Sequence, residues 1–196
     1  MKTRILIVSL MVFAFALAGC DLKGDVEQGR AVAFESGKSV TLVLDKIRDA
    51  KGKKGDYTGD IVTYKLPLEK KDMGADPATG CLLKIDADNS TVYVYDKNEK
   101  KVRALKVTVK DKDNTIDSRR HPKVAGKKFP EIKDGNVTVY APSQKLLITF
   151  TPSQEDMELG DDTWKYGDEV RVAFMKADKT QLIRLMNVTK TDIFKR

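Results

Sequence analysis

The sequence predicts an all-β protein, on three observations. Apolar and polar residues alternate over short runs, no segment past residue 30 sustains helical periodicity beyond about two turns, and Asp/Asn/Gly clusters separate the runs. In chain order, Val40, Leu42 and Leu44 share one face of the first run, and Val62, Tyr64 and Leu66 share a face of the second. Residues 81–86, 91–95 and 101–109 form a meander of hairpins, turning at Asp86-Ala87-Asp88-Asn89 and Asp96-Lys97-Asn98-Glu99. Residues 137–141, 145–150, 169–175 and 181–188 complete the set, the last two joined by Lys176-Ala177-Asp178-Lys179. Within 101–109 the apolar set shifts from Val102 and Ala104 to Leu105, Val107 and Val109. A one-residue slip turns the inward face outward, so a β-bulge is expected near Ala104-Leu105, where a sheet curves or the chain changes sheets.

These elements predict an antiparallel meander or barrel with long loops at about 46–60, 67–80, 111–136 and 152–167. The run Gly167-Asp168-Glu169-Val170-Arg171-Val172 resembles a strand common in small OB-like and SH3-like barrels. Residues 31–196 form the expected all-β domain, either as one body or as two small sub-barrels dividing within 111–136. A signal helix is expected ahead of it.

That helix is legible in MKTRILIVSLMVFAFALAGC. Lys2 and Arg4 precede a charge-free run, Ile5 to Ala16, which is too short to span a bilayer. Leu17-Ala18-Gly19-Cys20 matches the lipobox, and the segment resembles a bacterial lipoprotein signal peptide. The resemblance implies cleavage of residues 1–19, a diacylglycerol on the Cys20 sulfur, and a cell-envelope protein facing the periplasm. The inner and outer membranes both stay open. Two acyl chains make a stable anchor. Residues 20–30, polar and carrying Gly24 and Gly29, read as a lipidated tether. The lipobox and the C-terminal segments 166–172 and 182–195 together resemble a lipoprotein group of sulfate-reducing bacteria built on a domain of unknown function. That resemblance brings no activity with it.

The 196 residues carry 36 Lys and Arg, 29 Asp and Glu, a formal charge of +7 and a single histidine. With 41% hydrophobic and 33% charged residues, the composition is neither disordered nor that of a multi-span membrane protein. Two cysteines exclude a disulfide framework and one histidine excludes a histidine cluster. Ser36-Gly37-Lys38-Ser39 lacks the upstream glycine of a phosphate loop, Val32 standing in its place. Asp86-Ala87-Asp88-Asn89-Ser90 lacks the glycine and glutamate of a calcium loop. His121 reads as a solvated loop histidine, and Cys81, opening an apolar run, as a buried thiol. No catalytic residue, metal site or cofactor is expected, and the chain is not read as an enzyme.

Charge distribution is what carries functional content. Residues 97–133 hold 13 Lys and Arg against 5 Asp and Glu, a local +8. Arg119, Arg120, Lys123, Lys127 and Lys128 therefore form a candidate basic binding loop for an envelope protein or an anionic polymer. A second candidate is the acidic and aromatic patch of Glu155, Asp156, Glu158, Asp161, Asp162 and Trp164. Nucleic acid is not expected as a partner of an exported chain, despite a pI near 9.2. The leading expectation is a membrane-anchored binding or assembly module. The alternatives are a glycan- or cell-wall-binding module and a purely structural lipoprotein.

Overall fold

The computed structural model describes residues 25–46 and 57–191. The expected signal helix, Cys20 and the start of the tether lie outside the described residues. Within them the protein is all-β, as the alternation predicts.

Five strands from the two ends of the described chain make one sheet: β1 (Asp25–Glu35), β2 (Ser39–Leu44), β3 (Ile61–Lys65), β11 (Glu169–Phe174) and β12 (Leu182–Asn187), in the order β12-β11-β1-β2-β3. The middle of the chain supplies the other two sheets. β4 (Leu82–Asp86), β5 (Thr91–Asp96) and β6 (Lys101–Lys106) form a three-stranded meander. β7 (Thr108–Asp113), β8 (Glu131–Lys133), β9 (Asn136–Ala141) and β10 (Leu146–Thr151) form a four-stranded sheet ordered β7-β10-β9-β8. A one-turn helix, α1 (Gln154–Met157), follows β10 and is capped by Ser153, whose hydroxyl accepts from the Asp156 amide.

Burial explains the stacking. The five-stranded sheet curls around Val40, Leu42, Tyr64, Val170, Val172, Phe174 and Leu185, and its edge strands meet at one bridge, Lys65–Gln181. It does not close into a barrel. Its outer face, through Val32, Val43 and Tyr57, packs on Cys81, Leu83 and Tyr95 of the meander region. The meander's opposite face, with Leu82, Ile85, Val92 and Val94, packs on Val137, Val139, Ile148 and Phe150 of the four-stranded sheet. Successive side chains of a strand point to opposite faces, so Leu82 and Leu83 enter different cores.

Three expectations are corrected here. Residues 25–30 are not tether but the first half of β1, paired residue for residue with β11 from Asp25↔Phe174 to Arg30↔Glu169. The polar residues at the start of this strand concealed it, and Gly29 to Val32 are buried in succession because β1 is central and covered on both sides. The β-bulge is not at Ala104-Leu105, where β6 pairs with β5 in unbroken register. The shift in apolar pattern marks instead the passage from β6 to β7 through Val107, where the chain leaves the meander for the four-stranded sheet. Register shifts fall elsewhere, among them Ala31/Ala33 in β1. Finally, the change of architecture does not fall within 111–136, a segment lying inside the four-stranded unit; it falls between β3 and β4 and again between β10 and β11.

The chain crosses between two units, the five-stranded sheet and the meander stacked with the four-stranded sheet, at a tight junction. The Ala31 amide donates to the Asp168 carbonyl at 2.9 Å, the Gly80 amide to the Ala31 carbonyl at 3.2 Å, and the Asp168 amide to the Ala78 carbonyl at 2.7 Å. A Cβ on Gly167 would stand 2.0 Å from the Ala31 oxygen, and one on Gly80 would stand 2.3 Å from the Lys165 oxygen. Glycine is required at both because three backbones pass within van der Waals contact.

Candidate site at the junction of the two units

Arg30 sits at this crossing, 4% exposed. Its guanidinium lies between two aromatic rings, 4.2 Å from the Tyr57 centroid and 4.6 Å from that of Tyr166. Nη1 donates to the Gly167 carbonyl at 2.8 Å. Nε is buried with no hydrogen-bond partner, and no carboxylate among the described residues comes within ion-pair distance. A buried charge of this kind ordinarily carries a counter-charge, because desolvation costs several kcal/mol. Stacking between two rings returns a share of that, about 1–2 kcal/mol for each desolvated cation–π contact.

The surroundings are held firmly. The Tyr166 hydroxyl donates to Gln144 Oε1 at 2.8 Å, and Gln144 in turn brackets the Ile85 backbone, accepting from its amide at 3.0 Å and donating to its carbonyl at 2.6 Å. Burial above all holds the Tyr57 and Tyr166 phenols well above the usual tyrosine range, so both stay neutral; for Tyr57 a hydrogen bond to Glu169 acts in the same direction. Asp168, 6% exposed, is fully engaged at Oδ2, which accepts from Asn187 Nδ2 at 2.8 Å and the Ala78 amide at 2.9 Å, with Lys190 Nζ at 3.5 Å. The acids near Arg30 are thus committed to other partners.

Arg30 opens onto a cavity of about 370 Å³. Trp164, Val139, Tyr140 and Phe129 give it an apolar side; Arg119 and Lys127 stand at its rim. The rim is supplied by the long loop 114–130, and that loop is folded. Ile116 and Val124 pack with Tyr140, Phe129 and Leu147 into a small core of their own, and turns such as Val124 N–H to the His121 carbonyl at 2.9 Å shape the chain between them. Gly126 takes a positive φ of 73° at the bend before Lys127.

The residues of the predicted basic loop therefore divide. Arg119 and Lys127 line the cavity. Arg120 and Lys128 are exposed beyond it, and none of these four has an ion pair among the described residues. Lys123 is bound to the Asp113 carboxylate, and that contact holds the Asp113 carboxyl well below its ordinary value, with help from Thr115. Lys123 fastens the loop instead of offering a free charge. His121 is half-buried, its Nδ1 accepting from the Lys123 amide at 3.3 Å.

The acidic and aromatic patch is corrected more heavily. Trp164 is 0% exposed and packs edge-to-face on Phe150 at 5.6 Å, so its ring belongs to the core and only borders the cavity. Asp156 is buried within α1, its carboxylate accepting from the Ser153 hydroxyl and facing Arg103 Nη2 at 3.7 Å. Asp162 is paired with Lys97 at 3.2 Å and Lys165 at 2.7 Å. Glu155, Glu158 and Asp161 remain exposed. Cys81 is buried as expected, and burial pushes its thiol up; it adjoins a second cavity of about 460 Å³ that Asp96, Asp161 and Asp162 also line.

Sequence reasoning missed Arg30, Tyr57 and Tyr166. The signal for Arg30 was an arginine directly before the small apolar run Ala31-Val32-Ala33-Phe34, but assignment to the tether hid it.

The fold is all-β, and the cavity at its junction combines a buried arginine, exposed basic residues at its rim and an apolar side. The chain matches the family model described as Domain of unknown function (DUF4881) over residues 23–196 and belongs to that family. No curated protein and no solved structure matches it.

Proposed function

We propose that the protein is a membrane-anchored envelope lipoprotein, held by a diacylglycerol on Cys20, whose β body binds an acidic protein partner through the loop 114–130. The observation that carries this reading is the loop itself. It is a long connection folded on its own small core, and it presents Arg119, Arg120, Lys127 and Lys128 without ion-pair partners among the described residues. Exposed positive charge of this kind steers encounter with an acidic surface. The start of β1 at Asp25 supports placement near a membrane: five residues from Cys20 extend at most about 17 Å.

Two experiments test the reading. Replacement of Cys20 by Ser is expected to abolish acyl labelling and release the protein from the membrane fraction; persistent membrane association would remove the anchor. In-cell cross-linking followed by mass spectrometry is expected to give one dominant acidic protein neighbour, lost when Arg119, Arg120, Lys127 and Lys128 are changed to Glu. Recovery of cell-wall polymer or lipid alone, or a neighbour that survives charge reversal, would overturn the docking role.

A further inference from the structure

We propose that the junction cavity is a binding site for a small organic monoanion, a carboxylate carried on an apolar body, with Arg30 as the group that recognises the carboxylate. This goes beyond the docking reading and stands without it.

Three observations converge on that ligand class. First, Arg30 is buried, lines the cavity, and is without a carboxylate in reach among the described residues. The two tyrosine rings fix the plane of the guanidinium, and a fixed planar donor group suits a carboxylate, which guanidinium can bind through charge-assisted hydrogen bonds. Second, the lining charges are Arg30, Arg119 and Lys127 against Asp168 and Glu169, and Asp168 is already paired with Lys190, so positive charge is in excess and an anion is favoured. A dianion would bring an extra charge against Glu169. Third, Phe129 and Tyr140 give the cavity an apolar side, with Val139 and Trp164 buried behind them, and about 370 Å³ falls in the range of small-molecule sites. That wall gives an apolar body somewhere to be buried, which an inorganic anion would leave unused.

The test is equilibrium binding of phenylacetate, benzoate and 3-phenylpropionate to the full chain purified in detergent, with phenylacetamide and phenyl phosphate as matched comparisons. At least one of the three carboxylates is expected to bind saturably, and phenylacetamide about tenfold or more weakly than phenylacetate, since the amide removes the charge and keeps the shape. Phenyl phosphate is expected to bind more weakly than the best carboxylate. Arg30→Met should lose carboxylate binding about tenfold or more while staying folded, with a denaturation midpoint close to the parent's. Lys127→Gln and Arg119→Gln, both exposed and safe for folding, should each weaken it about two- to fivefold. Absence of carboxylate binding, equal binding of acid and amide, tighter binding of phenyl phosphate, or full affinity in the Lys127 and Arg119 variants together would each overturn the proposal. Failure of the docking experiment leaves these measurements unaffected, because they involve no macromolecular partner.

Discussion

Arg103 and Arg30 both stand on β-strands, Arg103 half-buried and Arg30 buried, and their surroundings treat them differently. Arg103 on β6 donates to Asp96 Oδ2 at 3.1 Å and faces Asp156 at 3.7 Å. Asp96 is further held by the amides of Asn98 and Glu99, which with Arg103 keep its carboxyl below the ordinary range. Every charge in that cluster has a partner, and the cluster ties β6 to the start of α1. Arg30 on β1 has two aromatic rings, one carbonyl and, among the described residues, no carboxylate. The first arrangement satisfies itself; the second is complete only when an anion arrives. The sequence offered the basic loop as first candidate and the acidic run as second, and what separates charged residues in the structure is whether folding has already supplied each with a partner.

That comparison can be broken or sharpened by mutation. The largest expected effect is at Trp164, which the account assigns to the core. Trp164→Ala should cost about 3–5 kcal/mol in urea unfolding. A loss under 1 kcal/mol would return the ring to the surface role expected from sequence. Gly167→Ala comes next, because a Cβ would stand 2.0 Å from the Ala31 oxygen and backbone must move. Overpacking of this kind typically costs about 1–3 kcal/mol, and it should weaken carboxylate binding too, since Gly167 holds Arg30.

Arg103→Met is expected to cost about 1–3 kcal/mol, leaving Asp96 and Asp156 short of a donor. A smaller effect belongs to the Lys123–Asp113 contact. Asp113 titrates below its unfolded value, so its contribution is present above that value, about pH 4, and disappears as pH falls through the depressed folded one. Parent and Asp113→Asn should therefore differ most in amide-exchange protection across residues 114–130 near neutral pH, and the difference should narrow progressively as pH falls below about 4. A constant difference across that range would show that charge is not what fastens the loop.

The fold was more legible in the sequence than the site. Strands with one covered face announced themselves: Val170, Val172 and Phe174 alternate, and all three are buried. β1 did not, because a central strand covered on both faces has no alternation to show, and its exposed first residues are polar. β8 was invisible for the opposite reason, all three of its residues being exposed. The shift in pattern at 101–109 was visible but its meaning was not. A chain passing from one sheet to another through Val107 produces the same one-residue slip as a bulge. As for the site, charge density located the loop that forms the rim, Arg119 and Lys127 included. It could not locate Arg30, since that residue reaches the cavity only because segments near positions 30, 80 and 167 meet in space. Nor could composition reveal that Trp164 had been taken into the core.

The most direct measurement is the urea unfolding of Arg30→Met beside Arg103→Met, in the absence of added anions. Removing Arg30 relieves an unpaired buried charge while losing two ring contacts and one hydrogen bond, terms of opposite sign and similar size. The account predicts a change within about 1 kcal/mol for Arg30→Met and a clearly larger loss for Arg103→Met. If Arg30→Met costs as much as Arg103→Met, then Arg30 is a structural residue already satisfied by its rings, and the cavity loses its claim to be an anion site.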